Sequence, residues 1–240
     1  MIRRTRPSLA SPVSPLRSMA LIASLGALTS LALASPAVQA DEPSANPAPA
    51  AAPAPALDAD AARLASVGHT LKWNWTPPGR KERFGHAEAL VHAPVSAVRQ
   101  LVQDFANYKQ LAGSITTSKV VGHTPDGSTD VYIRMGVMNN TISVWNVTRF
   151  QPPRPAPGGG EVVEGDMVHG KGNVDDSAMI WSFHPAGNDW TVLKLDVLLA
   201  PGIPAPQSLL DEQLRDSAMD AVNSVHDRAQ GSKVNPPYTG

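Results

Sequence analysis

Phe84-Gly85-His86-Ala87-Glu88-Ala89-Leu90-Val91-His92-Ala93-Pro94-Val95-Ser96-Ala97-Val98 changes its period at one proline. Before Pro94 the residues alternate. Ala87, Ala89 and Val91 fall on one side, and His86, Glu88, Leu90 and His92 on the other, the period-two pattern of a strand. After Pro94, Val95, Val98, Leu101, Val102 and Phe105 recur every three or four residues, which predicts an amphipathic helix. Proline has a fixed φ and no N–H, so it suits the first turn of that helix. The small apolar face of the strand is assigned to the core. His86 and His92 are therefore expected to face solvent.

Working outward from this junction, Lys72 to Thr76 places Trp73 and Trp75 two apart, as in a strand, and Pro77-Pro78-Gly79 turns the chain. Ala59 to Val67 has the apolar spacing of a short helix. On the other side, Asn107 to Ala112 reads as a second short helix ended by Gly113. The pattern is then β for a long way: Ser114–His123, Asp130–Met138, Thr141–Phe150, Glu161–His169, Ala178–His184 and Trp190–Ala200. Thr124-Pro125-Asp126-Gly127, Asn139-Asn140 and Ala186-Gly187-Asn188-Asp189 are the turns, and 152–160 is a Pro/Gly-rich loop. The chain returns to helix over Pro206–Gln230, with Leu210, Leu214, Ala218, Ala221, Val222 and Val225 in one stripe. This order predicts an α+β fold. Two short helices follow the first strand, and a curved antiparallel sheet of about six or seven strands wraps around the long C-terminal helix. Such a helix must lay its narrow stripe on the concave face. The gap left between helix and sheet is where a ligand would go.

Several of these stretches resemble the START-like, or SRPBCC, superfamily. Ala89 to Val98 looks like its opening strand-to-helix junction. Asp104-Phe105-Ala106-Asn107-Tyr108, followed by Leu111, resembles its next segment. Trp181, Phe183 and Pro185 before Gly187, then Thr191-Val192, resemble its last hairpin. Ile203-Pro204-Ala205-Pro206 leading to Leu210, Leu214 and Ala218 is similar to the final helix of its polyketide-cyclase and coenzyme-Q-binding branches. The resemblance spans roughly Phe84 to Ala229. It implies a helix-grip fold with a tunnel for lipids, sterols, quinones or polyketides. It does not imply one activity, because fold and function are separable.

The first forty residues read as an address. Met1–Arg17 is basic and acid-free, Met19–Ala34 is apolar, and Val38-Gln39-Ala40 offers a cleavage site, the layout of a secretory signal peptide cleaved after Ala40. The apolar run is short for a transmembrane anchor, the alternative, and Ser24, Gly26, Thr29 and Ser30 dilute it. Residues 41–57 are mostly Ala and Pro and predict an extended, disordered linker. Residues 58–240 are then the START-like domain, periplasmic or secreted. The whole chain has 20 basic and 21 acidic residues. Twenty bases less Arg3, Arg4, Arg6 and Arg17 leaves sixteen against 21 acids after Ala40, a net charge near −5. That leaves no electrostatic footprint for nucleic acid, and no basic patch to hold the domain on anionic lipid. Transient membrane contact and oligomeric state stay open. The chain has no cysteine, which excludes disulfides, thiolate metal sites and cysteine nucleophiles.

The candidate ligand-binding residues are Tyr108, Arg134, Met138, Trp145, Trp181, Phe183, Leu210 and Leu214. Tyr108 would close the pocket mouth and offer a hydroxyl, or simply pack. Arg134 stands mid-strand among apolar residues. It would hold a ligand carboxylate or carbonyl if turned inward, or pair with a neighbour such as Glu164 if turned outward, the favoured reading. Glu164, Asp166, Asp175 and Asp176 with His169 could form a metal site, but read better as solvated strand and loop residues. No histidine pair has helical metal spacing, Gly158-Gly159-Gly160 lacks the lysine and helix of a phosphate loop, and no Gly-x-Ser-x-Gly is present. No catalytic residue, metal or cofactor is therefore assigned. The expectation is binding or transport of a hydrophobic small molecule rather than catalysis. The alternatives are a cyclase, aromatase or hydrolase using the same cavity, and an envelope interaction module whose pocket has collapsed.

Overall fold

The structure, a computed structural model, describes residues 58–137, 141–170, 174–187, 189–202 and 204–231. The expected signal peptide, the linker, Met138, the Asn139-Asn140 turn and Asn188 lie outside the described residues. Three α-helices, α1 (Ala59–Val67), α2 (Val95–Val102) and α3 (Gln207–Ala229), accompany nine strands. These are β1 (Leu71–Trp75), β2 (Phe84–Val91), β3 (Ile115–His123), β4 (Thr129–Val137), β5 (Ile142–Phe150), β6 (Arg154–Ala156), β7 (Gly160–Gly170), β8 (Asp176–Pro185) and β9 (Thr191–Ala200). The second short helix is a 3-10 helix over Phe105–Gln110. No helix among the described residues is long and apolar enough to cross a membrane.

All the pairings are antiparallel, in one sheet of order β1-β2-β9-β8-β7-β5-β4-β3, with β6 added to β7. The sheet has nine strands rather than the expected six or seven. β1 pairs along β2, so the two short helices follow the second strand and not the first. The 152–160 loop is also not wholly irregular: Arg154–Ala156 pairs with β7, where Pro155 is tolerated because the segment lies off the main ladder.

The curl of the sheet follows from two contacts of one helical turn. Lys72, on edge strand β1, reaches Asp216 of α3 at 2.5 Å. Ser114, just before the opposite edge strand β3, meets Ser217 of α3 at 3.2 Å. Strands spaced about 4.8 Å apart would hold β1 and β3 roughly 34 Å apart if the sheet were flat. Neighbouring residues of one helix reach both edges only because the sheet wraps around that helix.

The stripe read from sequence is the face that grips. Leu214, Ala218, Ala221, Val222 and Val225 pack with Ala87, Ala89 and Val91 of β2, with Leu193 and Leu195 of β9, and with Val98 and Val102 of α2. α3 comes closest at Gly85, where an added Cβ would lie 2.3 Å from the Leu214 carbonyl carbon. A glycine is required there because helix backbone occupies the space of a side chain.

The other face of β2 corrects half of an expectation: His92, just past the strand, is exposed as expected, but His86 is not. His86 is 7% exposed and Glu88 2%, so this face is not solvated. Trp73 lies over the His86 ring, at 4.1 Å between centroids. Asp196 Oδ1 lies 2.7 Å from His86 Nδ1 and accepts the Trp75 indole N–H at 2.6 Å. Arg63 of α1 reaches Glu88 at 2.6 Å. Period-two reading assigns faces correctly. It cannot say that α1 and β1 will cover the second face.

Candidate functional site: an apolar gap under the C-terminal helix

Between α3 and the sheet a cavity of about 60 Å³ remains. Leu210 and Leu214 line it from α3, Met135 and Val137 from β4, Met179 from β8, and Leu195, Val197 and Leu199 from β9. Among the described residues, the polar side chains that line it are Ser114, Ser177, Gln213 and Ser217. No described residue lining it is titratable. Water gains few hydrogen bonds there, and hydrocarbon surface loses none.

The cavity is closed on one side by a seam of two side-chain contacts. Gln213 Nε2 donates to the Gly136 carbonyl at 3.0 Å. The hydroxyls of Ser217 and Ser114 meet at 3.2 Å. Outside this seam lies a polar vestibule of about 370 Å³ that shares Ser114, Gly136, Gln213 and Ser217 with the cavity. Glu212, Asp216 and Asp220, four residues apart on α3, rim it. The same four residues thus form one wall of both spaces. The larger void, about 690 Å³, is a groove lined by residues of α1 and of the C-terminal half of α3. His69, Asn223, His226, Asp227 and Gln230 line it beside Leu64, Leu90 and Trp190, so it suits hydrocarbon less well.

Solved structures share this architecture. A STAR-related lipid transfer protein from Xanthomonas axonopodis, fragment 25-204, is 15% identical, covers 67% of this chain and 93% of its own, and superposes with a TM-score of 0.56. Human StAR-related lipid transfer protein 5 is 10% identical over 68% of this chain and 83% of its own, with a TM-score of 0.58. A START superfamily protein from Mycobacterium smegmatis is 17% identical over 62% of this chain and 97% of its own, at 0.52. This chain has the START-like helix-grip fold. No family model and no curated protein matches its sequence.

On this START-like scaffold the candidate residues separate. Leu210 and Leu214 line the cavity. Trp181 and Phe183 are fully buried in the core beside it, against Leu193 and Leu195, and are not among its lining residues. Met138 lies outside the described residues. Tyr108 does not close the mouth: it is fully buried, and its hydroxyl donates to the Val102 carbonyl at 2.5 Å. Burial pushes that hydroxyl far above its ordinary range, so it stays protonated. Phe105 and Phe150, each with its ring centroid 5.5 Å away, hold Tyr108 inside the domain.

Arg134 is exposed and donates from Nε to the Ser143 hydroxyl at 2.7 Å. Its expected alternative partner, Glu164, is taken by Arg154. Trp145 stands directly across from Arg134 on β5 and therefore shares its outward face. Its ring lies 5.7 Å from both Tyr132 and His169, away from α3. Arg134 thus takes the outward of its two expected orientations, and Trp145 does not line the gap. β4 and β5 carry large side chains on both faces, and only the position of α3 decides which face is inside.

The seam residues Ser114, Gln213 and Ser217 were missed, because small polar residues beside an apolar stripe look like ordinary helix surface. Gly85 did carry a signal: a lone glycine inside a strand pattern marks close approach of another backbone.

Proposed function

We propose that this protein binds and carries an uncharged hydrophobic small molecule beneath α3. The observation that carries this reading is the gap itself, lined by aliphatic and methionine side chains and closed on one side by contacts of Gln213 with Gly136 and of Ser217 with Ser114. Two structures with the same fold are described as lipid transfer proteins, which supports the reading. A cavity of about 60 Å³ is smaller than the roughly 300–1,000 Å³ of ligand sites. Uptake therefore requires α3 to lift along the seam and the methionines to repack. The N-terminal segment would export the protein to the bacterial periplasm or beyond, where the carried molecule would pass through the envelope. The cyclase or hydrolase alternative requires a titratable group facing the gap, and no described lining residue supplies one.

Native mass spectrometry of the full chain purified from cells tests this. A mass adduct of lipid size, released on unfolding, is expected. A protein that is uniformly empty, and that gains no thermal stability from any added lipid, would instead point to an envelope interaction module.

A further inference from the structure

β5 turns Val144, Asn146, Thr148 and Phe150 toward the interior, and all four are buried. Asn146 is the anomaly. Its side-chain oxygen accepts the Thr148 hydroxyl at 3.3 Å, but its Nδ2 finds no acceptor. A fully buried amide donor without a partner is destabilising, and folded proteins keep few of them. Trp181 Nε1, a second unpartnered donor on this face, is already turned to the Tyr108 hydroxyl. Asn146 Nδ2 has no hydrogen-bond acceptor among the described residues.

Asn146 is not itself among the residues that line the cavity, and its surroundings are packed but deformable. Asn146 pairs with Ile133 of β4 and with Gly170 of β7. Gly170 has no side chain, and an atom placed where its Cβ would be lies 3.0 Å from the Met167 sulfur and 3.7 Å from the Asn146 Cβ. Met135 is the next inward residue along β4. It lines the cavity and packs in one cluster with Val144 and Met167. Methionine is unbranched and changes rotamer easily, so these two side chains form a yielding wall beside the amide.

From this we infer that Asn146 is the polar anchor of the carried ligand: its Nδ2 donates to an uncharged carbonyl or hydroxyl oxygen at the buried end of an otherwise hydrocarbon molecule. The inference rests on the proposed binding function and names the ligand class. No charged side chain among the described residues lines the cavity, so a carboxylate or ammonium at that end would find no partner among them.

The test uses the full chain and displacement of the fluorophore N-phenylnaphthylamine by dodecane, dodecan-2-one and dodecanoate. Dodecan-2-one is expected to bind roughly five- to tenfold more tightly than dodecane, the gain of one neutral hydrogen bond to an otherwise unsatisfied donor. Dodecanoate is expected to gain nothing over dodecane. Asn146→Ala and Asn146→Leu should each erase the preference, bringing the ketone and the hydrocarbon to within about twofold of each other. Equal affinity of the ketone and the hydrocarbon for the unmodified protein overturns the anchor, and requires no variant to fold. A preference that persists in both variants overturns it as well. If none of the probes binds, the binding function falls and the anchor with it; if all bind alike, only the anchor falls.

Discussion

A disulfide across the seam tests whether α3 must lift. Ser114 and Ser217 place their hydroxyl oxygens 3.2 Å apart, and two sulfurs at those positions need approach only to about 2.05 Å to bond. The chain has no other cysteine, so Ser114→Cys/Ser217→Cys has a single possible intramolecular bridge. The bridge spans 103 residues. Chain entropy for a loop of that size predicts about 4.7 kcal/mol of added stability, which raises Tm on the order of 10 °C in a domain of this length. Uptake should move the opposite way. Breaking the Gln213–Gly136 and Ser217–Ser114 contacts costs about 1 kcal/mol each. Burying roughly 300 Å² of hydrocarbon contributes about 7 kcal/mol. The native seam is therefore weak enough to open for a ligand, and a covalent one is not. The assay is fluorescence displacement by dodecan-2-one on oxidised and reduced protein, with Tm measured in parallel. The oxidised variant should lose at least tenfold in uptake rate, and reductant should restore it. An oxidised variant that shows the full rise in Tm yet binds as fast as the unmodified protein would refute a gate at this seam.

Two further outcomes follow from the packing. Gly85→Ala puts a methyl group 2.3 Å from the Leu214 backbone, where no rotamer relieves the clash, so chemical denaturation should show a loss of about 2–3 kcal/mol or more; an unchanged midpoint would mean that α3 does not lie against β2. Burial opposes a charged His86, but the Asp196 and Glu88 carboxylates outweigh it and hold the imidazole above its ordinary pKa of 6.5. A raised pKa stabilises the fold below the unfolded value and ceases to do so as pH climbs through the folded one. Stability should therefore fall as pH rises above 6.5, by about 1.4 kcal/mol in all for each unit by which the pKa is raised, read as a falling Tm, and His86→Gln should flatten that slope; a slope unchanged in the variant would assign it to other groups.

The architecture was largely legible in the chain because its signals are local. The switch of period at Pro94, the alternation in 131–137, and the stripe from Leu210 to Val225 each reflect which side of one element avoids water. Those signals gave the strands, the helices and their order, and with them the expectation of a gap under α3. Of the candidate residues, Leu210 and Leu214 were legible because a helix has one apolar face and that face must meet the sheet. Trp145 and Tyr108 were not. A strand with large residues on both sides does not reveal which side a distant helix will cover, and a tyrosine does not announce that the Val102 carbonyl will take its proton.

Local period thus fixed each element and its apolar face from sequence alone. Tertiary structure alone decided three things: that the sheet curls far enough for Asp216 and Ser217 to touch its opposite edges, that α1 and β1 bury His86 and Glu88 on the outer face, and that Asn146 ends inside with a free donor. The reason is the same in each case. These features depend on pairings between residues tens to more than a hundred positions apart, and periodicity within one element carries no record of the partner that will close over it.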